Sequence, residues 1–304
     1  MTKRSRQLYF SLVVLASAII LPGLLLYSSG YRVDWRSWTI ERTGSLRLTT
    51  VPSAATVSVL ELNISAQTPV LMNQLFPGTY TVQVTKPGYM TWLNKVTITA
   101  QQTVQFDPLL LFSTDANTIK LTDYPNTLRS SADDLLVQQL SPNVQYALSQ
   151  LPLAKNYQLT QLADELYAVW NKPADQLLLV QAVDTTAELT TLHQHAISVD
   201  WNDATNQLLY ATEHELYVYD VPTQRSRLVT RLSSTIREAH WHPLGWYAVL
   251  VSQDKIQIFD TRVLAAAYSL TVYQGTAPQA LGFDRRGTTV YFSDNGSIQA
   301  LRLQ

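Results

Sequence analysis

Apolar positions dominate one continuous segment near the start of the chain. From Leu8 to Tyr27 the sequence LYFSLVVLASAIILPGLLLY contains twenty residues and no charge. A helix of that length, at about 1.5 Å per residue, spans the ~30 Å hydrocarbon core of a bilayer. The pattern predicts a transmembrane helix within residues 1–30, and Pro22 would only kink it near its outer end.

The small residues in the middle of this segment raise the question of whether it is removed. Ala16, Ser17 and Ala18 resemble a signal-peptidase site, and a positively charged stretch precedes the apolar run. A cleavage site should end the apolar run, but the run continues as IILPGLLLY. An uncleaved anchor is therefore favoured over a removed signal peptide.

The charges around the helix are balanced, so the charge rule alone does not orient it. Three cations precede the apolar run and three come after it: Lys3, Arg4, Arg6, Arg32, Arg36 and Arg42. A short tail before the helix and a long domain after it are typical of a signal-anchor. We therefore expect residues 1–30 to be a cytoplasmic tail and a single-pass anchor in the cell membrane, with the bulk of the chain extracytoplasmic.

Alternation of apolar and polar residues begins after an expected linker at 31–43. Five short runs within 44–112 alternate in this way: SLRLTT, TVSVLE, TYTVQVT, NKVTIT and TVQFDPLLLF. This period predicts strands that are packed on one face and wet on the other. Turn residues separate the runs, among them Pro52, Pro69, Pro77, Gly78, Pro87 and Gly88. We predict a small antiparallel β-sandwich whose Pro-Gly pairs close hairpins, with Tyr89 and Trp92 covering one end of its core.

The same residues resemble the PEGA domain family. In that family a Gly precedes the first strand, a Pro-Glu-Gly-Ala turn comes after it, and Thr-Pro, Pro-Gly-x-Tyr and Gly-Tyr come later in order. The matching positions here are Gly44, Thr68, Pro69, Leu75, Pro77, Gly78, Thr79, Tyr80, Gly88 and Tyr89. The turn that names the family departs from type and reads Pro52-Ser53-Ala54-Ala55. The resemblance implies a small sandwich of bacterial and archaeal envelope proteins, with a binding or spacing role and no catalytic residues.

Beyond Ser113 an aromatic residue, a turn and an apolar strand recur together. Such units begin at Trp170, Trp201, Trp241 and Phe283, with a fainter one, LSPNVQYAL, at Leu140. Their intervals are 30, 31, 40 and 42 residues, whereas a propeller blade takes about 40 to 45, so the first two blades would be clipped. We predict a β-propeller of about five short blades over 115–304. The fold class is then mainly β: a transmembrane helix, a PEGA-like sandwich and a propeller.

The last predicted blade is one strand short. It ends at SIQALRLQ, and TIKLTDY at 118–124 is a candidate for its fourth strand, which would close the ring. The strand endings LYVYDVPT and IQIFDTRV resemble those of the Trp-Asp repeat family, although the Gly-His dipeptide of that family is missing.

Composition narrows the possible partners. Lys and Arg number 22 against 23 Asp and Glu, so no overall positive field would attract nucleic acid. The chain has no Cys, which excludes disulfides, thiolate metal sites and Cys nucleophiles, and leaves the redox compartment open.

Few residues suggest chemistry, because the common nucleophile, phosphate-loop, dinucleotide and zinc-protease motifs are all missing. Two His pairs have a spacing that metal ligands could use, but no third ligand accompanies either pair. Two acidic pairs could act as the carboxylates of a glycosidase, but adjacent acids in turns are more often solvated. These pairs are His193 with His195, His240 with His242, Asp133 with Asp134, and Asp164 with Glu165. The tryptophans could stack on sugars, but their recurrence before turns favours packing between blades. We therefore expect no catalytic residue, no metal and no cofactor.

Two classes of function remain. The favoured class is a membrane-anchored envelope protein that binds a protein or polysaccharide without catalysis. The alternative is an extracytoplasmic propeller hydrolase that acts on glycans. Convergent carboxylates with perturbed pKa values in a central channel would favour the hydrolase, whereas a channel of apolar or neutral side chains would favour binding.

Overall fold

The computed structural model describes residues 3–34, 38–115, 117–123, 140–149, 157–171, 174–183, 186–262 and 269–304. The chain divides into two compact units, Met1–Leu111 and Phe112–Gln304. Apart from the N-terminal helix, strands dominate both units, so the predicted mainly β fold class is confirmed.

The first unit begins with helix α1, Lys3–Ser28. Its stretch Phe10–Ser28 is long and apolar enough to cross a membrane, and no part of that stretch is buried inside the protein. Residues 31–43 were expected to be a linker. They contain a hairpin of strands β1, Tyr31–Asp34, and β2, Thr39–Arg42. Thr43 closes the base of the hairpin, because both its N–H and its hydroxyl donate to the carbonyl of Gly30.

Seven strands form a two-sheet sandwich after the hairpin. They are β3 Gly44–Val51, β4 Thr56–Val59, β5 Ile64–Gln67, β6 Val70–Leu75, β7 Gly78–Thr85, β8 Trp92–Ile98 and β9 Thr103–Leu110, with a 3-10 turn at Leu60–Leu62. The strand orders are β6-β3-β9 and β5-β4-β7-β8. The expectation of a purely antiparallel sandwich is wrong, since β3 and β9 pair in parallel. The chain passes through the second sheet before β6 and again before β9, so no hairpin joins β3 to β9 and the two strands can run parallel.

The two Pro-Gly pairs have different roles. Pro87 and Gly88 close the β7–β8 hairpin as predicted, and Gly88 has a positive φ of 79°. Pro77 and Gly78 do not close a hairpin, because they join β6 in one sheet to β7 in the other. Trp92 is buried and packs edge-on against Phe106, with 5.3 Å between ring centroids.

The second unit contains four-stranded antiparallel sheets, here called blades. The first blade is β11 Tyr157–Ala163, β12 Leu166–Asn171, β13 Gln176–Val183 and β14 Thr186–His193. The second is β15 Ser198–Asn202, β16 Gln207–Ala211, β17 Glu215–Asp220 and β18 Arg225–Arg231. The third is β19 Ile236–Trp241, β20 Tyr247–Ser252, β21 Lys255–Asp260 and β22 Ser269–Gln274. The fourth is β23 Gln279–Phe283, β24 Thr289–Asp294 and β25 Ser297–Arg302, completed by β10 Thr118–Leu121.

The fourth blade takes its outer strand from the start of the unit. Thr118 pairs with Leu301 and Leu121 with Ile298, which is the pairing predicted for TIKLTDY. The described residues form four blades, and the predicted number of about five is not confirmed.

Consecutive blades share apolar cores. One buried cluster joins the first two blades through Leu162, Leu166, Ala168, Leu177, Leu179, Leu208, Tyr210 and Tyr219. Another joins the second and third blades through Leu209, Ala211, Leu216, Val218, Val229, Ile236, Ala239, Trp241, Ala248, Leu250 and Phe259. Alternate residues of β12, β13 and β16 enter clusters on opposite faces, as in a propeller-like stack.

Helix α2, Pro142–Ser149, covers the other face of the first blade. Val144 and Leu148 pack there against Val169, whereas the neighbouring Ala168 faces the second blade. The predicted repeat unit at Leu140 is therefore wrong, because its sequence LSPNVQYAL forms this helix. Val144 and Leu148 are four residues apart and lie on one side of a helix, so the segment buries its apolar residues without a strand.

Candidate functional site

The structure gathers the PEGA-like landmarks around the two sheets of the sandwich. Gly44 begins β3, Gly78 and Tyr80 lie in β7, and Trp92 begins β8. The remaining landmarks lie between strands: Pro52, Thr68, Pro69, Pro77, Gly88 and Tyr89. The Tyr80 hydroxyl donates to the carbonyl of Phe76 at 2.9 Å, which ties β7 to the segment before it. These landmarks act as turn and packing residues.

The turn that departs from the PEGA pattern is held by buried threonines. The hydroxyls of Thr50 and Thr68 are 2.6 Å apart, and the Thr68 hydroxyl accepts the N–H of Ala55 at 3.0 Å. Ala54 has a left-handed φ of 58°. This residue stands where the family has Gly, and the backbone conformation explains why Gly suits the position.

The repeated aromatic residues lie at the blade seams. Trp201, Trp241 and Phe283 each lie at or near the end of the first strand of a blade, in β15, β19 and β23. Trp170 lies in β12, the second strand of its blade, so the repeat alignment was one strand out of register there. This offset accounts for the short interval of 31 residues between Trp170 and Trp201.

These aromatic side chains contact other protein groups. Trp241 is 4% exposed within the cluster that joins the second and third blades. Trp170 and Trp201 pack against the cluster between the first two blades. Their indole N–H groups donate to the carbonyl of Ala196 and to the carboxylate of Asp203, respectively. Such contacts suit packing between blades better than stacking on sugar rings.

A charged cluster links the first strands of three consecutive blades. Asp200 of β15 accepts the N–H of Trp241 in β19 at 2.7 Å. Glu238 of β19 accepts the N–H groups of Ala280 and Leu281 in the fourth blade, both at 3.2 Å. Each carboxylate therefore satisfies backbone donors of the next blade, which is a structural task.

His240 lies between these two carboxylates. Its Nδ1 is 3.6 Å from Asp200 Oδ2 and its Nε2 is 3.7 Å from Glu238 Oε2. Burial opposes protonation of the ring, but the interactions with Asp200 and Glu238 outweigh it and raise the pKa of His240 to about 9. The interaction with His240 also outweighs burial at Glu238 and lowers the pKa of that carboxyl.

His242, the other member of that pair, is in a different environment. It is 1% exposed, its Nε2 lies 2.8 Å from the carbonyl oxygen of Gly287, and burial lowers its pKa to about 4. Its ring also packs edge-on against Phe283, with centroids 5.8 Å apart. His240 and His242 therefore do not act as a ligand pair.

A cavity of about 580 Å³ lies at the seam between the first and second blades. We call it the seam cavity. Its lining residues are His193, His195, Thr212, Glu213, His214, Glu215, Arg231, Leu232 and Ser233. They come from the end of β14, the β16–β17 turn and the end of β18. The volume lies within the ~300–1,000 Å³ range of small-molecule sites.

The His193 ring, which lines the seam cavity, packs across the seam against aromatic rings of the second blade. The His193 ring of the first blade lies 5.7 Å from Tyr210 and 5.6 Å from Tyr217 of the second blade. The two tyrosine rings stack at 5.0 Å. His193 Nδ1 accepts the N–H of His195, and burial followed by the nearby His195 lowers the pKa of His193. The neutral ring then carries its proton on Nε2, where it can act as a donor.

The second blade contributes an ion pair between Arg231 and Glu215 that further hydrogen bonds hold in place. Arg231 donates to Glu215 from both Nε and Nη2, and the Tyr217 hydroxyl donates to Glu215 Oε2 at 2.8 Å. These hydrogen bonds, first that of Tyr217 and then that of Arg231, lower the pKa of Glu215. Burial and the bond to Glu215 raise the pKa of Tyr217 to about 12. The wall thus has fixed polar groups around an exposed guanidinium, an arrangement that suits a polar ligand.

The described residues that line the seam cavity were compared with the geometry of a metal site and of an acyl-transfer site. In the described part of the chain no three His, Asp or Glu side chains come close enough to hold a metal ion. Ser233, the exposed lining hydroxyl, makes no hydrogen bond to an imidazole among the described residues, and a serine nucleophile needs such a base. Asp164 and Glu165 form the exposed β11–β12 turn, and Asp133 and Asp134 lie outside the described residues.

Sequence reasoning identified His193 and His195 but missed His214, Glu215 and Arg231. Glu215 and Arg231 are cross-strand partners in the β17–β18 pair. Aligning these two strands as a hairpin would have placed their opposite charges face to face. The cavity itself depends on how two blades dock, which no local pattern encodes.

Comparisons with known proteins give one family match and several structural similarities. Residues 43–110 match the PEGA domain family. No curated protein matches the chain. It is similar to the β-propeller domain of Cps50 (Swd1) from Myceliophteria thermophila, with 12% identity, a TM-score of 0.37 and coverage of 46% of this chain and 51% of that one. It is also similar to the C-terminal WD40 domain of Sif2, with 11% identity, a TM-score of 0.39 and coverage of 48% and 45%.

The chain spans about half the length of these two solved structures. The strand pairing of the blades, including the return of β10 to β25, carries the fold assignment. Residues 43–110 are a PEGA domain, and a propeller-like unit of four-stranded sheets comes after it.

Proposed function

We propose that this chain is a single-pass, membrane-anchored envelope protein whose second unit binds an extracytoplasmic protein or polysaccharide without catalysis. The seam cavity is the observation that carries the proposal. It brings His193 of one blade together with His214 and Arg231 of the next in a volume that fits a small ligand or a protruding side chain.

Membrane anchoring is supported by the exposure of α1. None of the stretch Phe10–Ser28 is buried inside the protein, so its apolar side chains need another apolar environment. The apolar run also continues past the small residues that would direct signal cleavage. An extracytoplasmic position for the two folded units agrees with the envelope role implied by the PEGA resemblance.

The pKa of Glu238 and the hydrogen bonds of Glu238 and Asp200 favour binding over glycan hydrolysis. A glycosidase needs one carboxylic acid whose pKa is raised, so that it can protonate the leaving oxygen. The pKa of Glu238 is lowered instead, and both Glu238 and Asp200 accept backbone N–H groups of the next blade. These carboxylates hold blades together, whereas the seam cavity opens to solvent.

Site-specific photocrosslinking tests the binding site. The photoreactive amino acid benzoyl-phenylalanine replaces Ser233 at the seam cavity in one variant and Arg285, exposed in the β23–β24 turn, in a matched control. Irradiation of whole cells should give a discrete adduct from position 233 and none of the same mass from 285. Identical adducts from both positions, or none from 233, would contradict the proposed site.

An activity assay tests the absence of catalysis. Purified full-length protein should release no reducing ends from envelope glycans. Hydrolysis that Asp200→Asn or Glu238→Gln abolishes, while the variant keeps its native circular-dichroism spectrum, would establish the hydrolase instead.

A further inference from the structure

The hairpin after the N-terminal helix has two unlike faces. Val33 pairs with Ile40 and Tyr31 with Arg42, so these four side chains share one face. Val33 is 41% exposed and Ile40 57% exposed. Trp38, just before β2, is 78% exposed. The strands pair with no other described strand, so an apolar face remains on a two-stranded ribbon.

The polar face of this hairpin is the one that contacts the protein. Arg32 donates to the carbonyl of Tyr27 at 3.0 Å and lies 3.5 Å from the centroid of its ring. It also donates to the side chain of Gln74 in the sandwich at 3.3 Å. Glu41, the cross-strand partner of Arg32, is half-buried. Arg32 and Glu41 are therefore turned toward the protein, whereas Val33 and Ile40 are exposed on the other face, which is the reverse of the usual arrangement in water.

The position of the hairpin identifies what covers its apolar face. Strand β1 begins at Tyr31, directly after α1 ends at Ser28, and Arg32 fastens it to the last turn of the helix. If the stretch Phe10–Ser28 crosses the hydrocarbon core, Ser28 lies at its edge. A four-residue strand reaches only about 13 Å from there, so most of the hairpin stays near the headgroups.

The composition of the exposed face suits that location. Trp and Tyr are enriched at membrane interfaces, where one end of the ring is apolar and the other is wet. Arg42 stacks on the Tyr31 ring at 4.7 Å from its centroid, which places beside the apolar residues a cation that can pair with lipid phosphates. An isolated two-stranded hairpin is marginal in water, so burial of this face would also stabilise it.

We propose that the β1–β2 hairpin lies in the outer interface of the same bilayer that α1 crosses, with Val33, Trp38 and Ile40 turned toward the acyl chains. The inference rests on the proposed membrane anchor. The hairpin then acts as a second membrane contact and fixes the orientation in which the chain leaves the helix.

Spin labelling tests this placement directly, because the chain has no Cys to remove. Ile40→Cys carries a nitroxide on the apolar face, and Thr39→Cys carries the matched label one residue away on the other face. The full chain is placed in phosphatidylethanolamine and phosphatidylglycerol vesicles. Collision rates are measured with oxygen, which concentrates in lipid, and with a nickel chelate, which stays in water. The oxygen-to-nickel ratio should be several-fold higher at position 40 than at position 39, and Val33→Cys should behave like Ile40→Cys.

A label at Leu15→Cys separates this inference from the anchor on which it rests. A lipid-exposed label at 15 with an aqueous label at 40 overturns the hairpin placement and leaves the anchor intact. Aqueous labels at both positions overturn both. A label at 40 that neither reagent reaches shows that protein covers the face, which also contradicts the proposal.

Discussion

Ile119 of β10 lies opposite Ala300 of β25, although the two residues belong to opposite ends of the second unit. The fourth blade is complete only when the start of the unit pairs with its end. Strand β10 covers the edge that β25 would otherwise expose, and this pairing makes the stability of the first and last segments interdependent.

A disulfide across this closure tests the pairing. Lys120 and Gln299 are cross-strand partners, and opposite residues in an antiparallel pair lie within disulfide reach. The double variant Lys120→Cys/Gln299→Cys should oxidise readily. In denaturant unfolding, its oxidised form should have a free energy of unfolding roughly 2–4 kcal/mol higher than its reduced form. Lys120→Cys/Arg302→Cys, three residues out of register, is the matched control and should not crosslink. Equal crosslinking of both pairs would contradict the register.

Replacement of Ala54 by Gly, the residue that the PEGA pattern has at this position, should stabilise the sandwich. Its φ of 58° is left-handed, which costs an L-residue with a Cβ more than it costs Gly. Ala54→Gly should therefore raise the free energy of unfolding by about 0.5–1 kcal/mol, measured by urea denaturation. Ala66→Gly, in the middle of β5, is the control and should lower it by a similar amount. A loss of stability at position 54 would contradict the assigned conformation.

Gly88 should show the opposite behaviour to Ala54. A Cβ at this position would meet nothing within 4 Å, so the cost of a side chain arises from the φ of 79° alone. Gly88→Val should lower the stability of the sandwich by roughly 1–3 kcal/mol. Gly88→Asn should lose less, because Asn tolerates the left-handed region. Equal losses for the two variants would show that sterics and not φ are responsible.

His240 should make stability depend on pH on the alkaline side. Its pKa rises from ~6.5 in the unfolded chain to about 9 in the folded one. The stabilisation is fully present below the unfolded pKa and is lost as pH rises through the folded pKa. Between these two pKa values the free energy of unfolding of wild type should fall by on the order of 3 kcal/mol. In His240→Gln this fall should be missing. Denaturant unfolding at a series of pH values measures the difference.

His242 provides the control for that experiment. Its pKa is lowered to about 4, so its contribution is present above the unfolded pKa and is lost as pH falls toward the folded one. His242→Gln should change the acidic side of the stability curve and leave the alkaline loss intact. An unchanged alkaline loss in His240→Gln would show that the His240 cluster does not carry it.

Local patterns predicted the elements that depend on neighbouring residues. The apolar run, the strands around Tyr80 and the turn at Gly88 result from periodicity and turn chemistry. The pairing of TIKLTDY with the last strand could also be predicted, because a blade that lacks a strand leaves an unpaired edge. The hairpin at 31–43 was missed, since its exposed apolar residues fit neither a soluble strand nor a linker.

Features that depend on how separate strands, helices and blades pack against one another could not be predicted from the sequence. The parallel β3–β9 pair and helix α2 result from how separate segments pack together. Trp170 was placed one strand out of register because an aromatic residue before a turn marks more than one position in a blade. The seam cavity combines residues from two blades, and only the imidazoles of His193 and His195 drew attention beforehand.

Recovery of a bound partner is the most direct test of the proposal that the seam cavity is a binding site. Full-length wild type, Arg231→Glu and the control Arg285→Glu are purified from solubilised membranes, and the bound proteins and carbohydrate are quantified. We expect a species that wild type and Arg285→Glu recover equally and that Arg231→Glu loses. Equal recovery by all three proteins would contradict a binding site at the seam cavity.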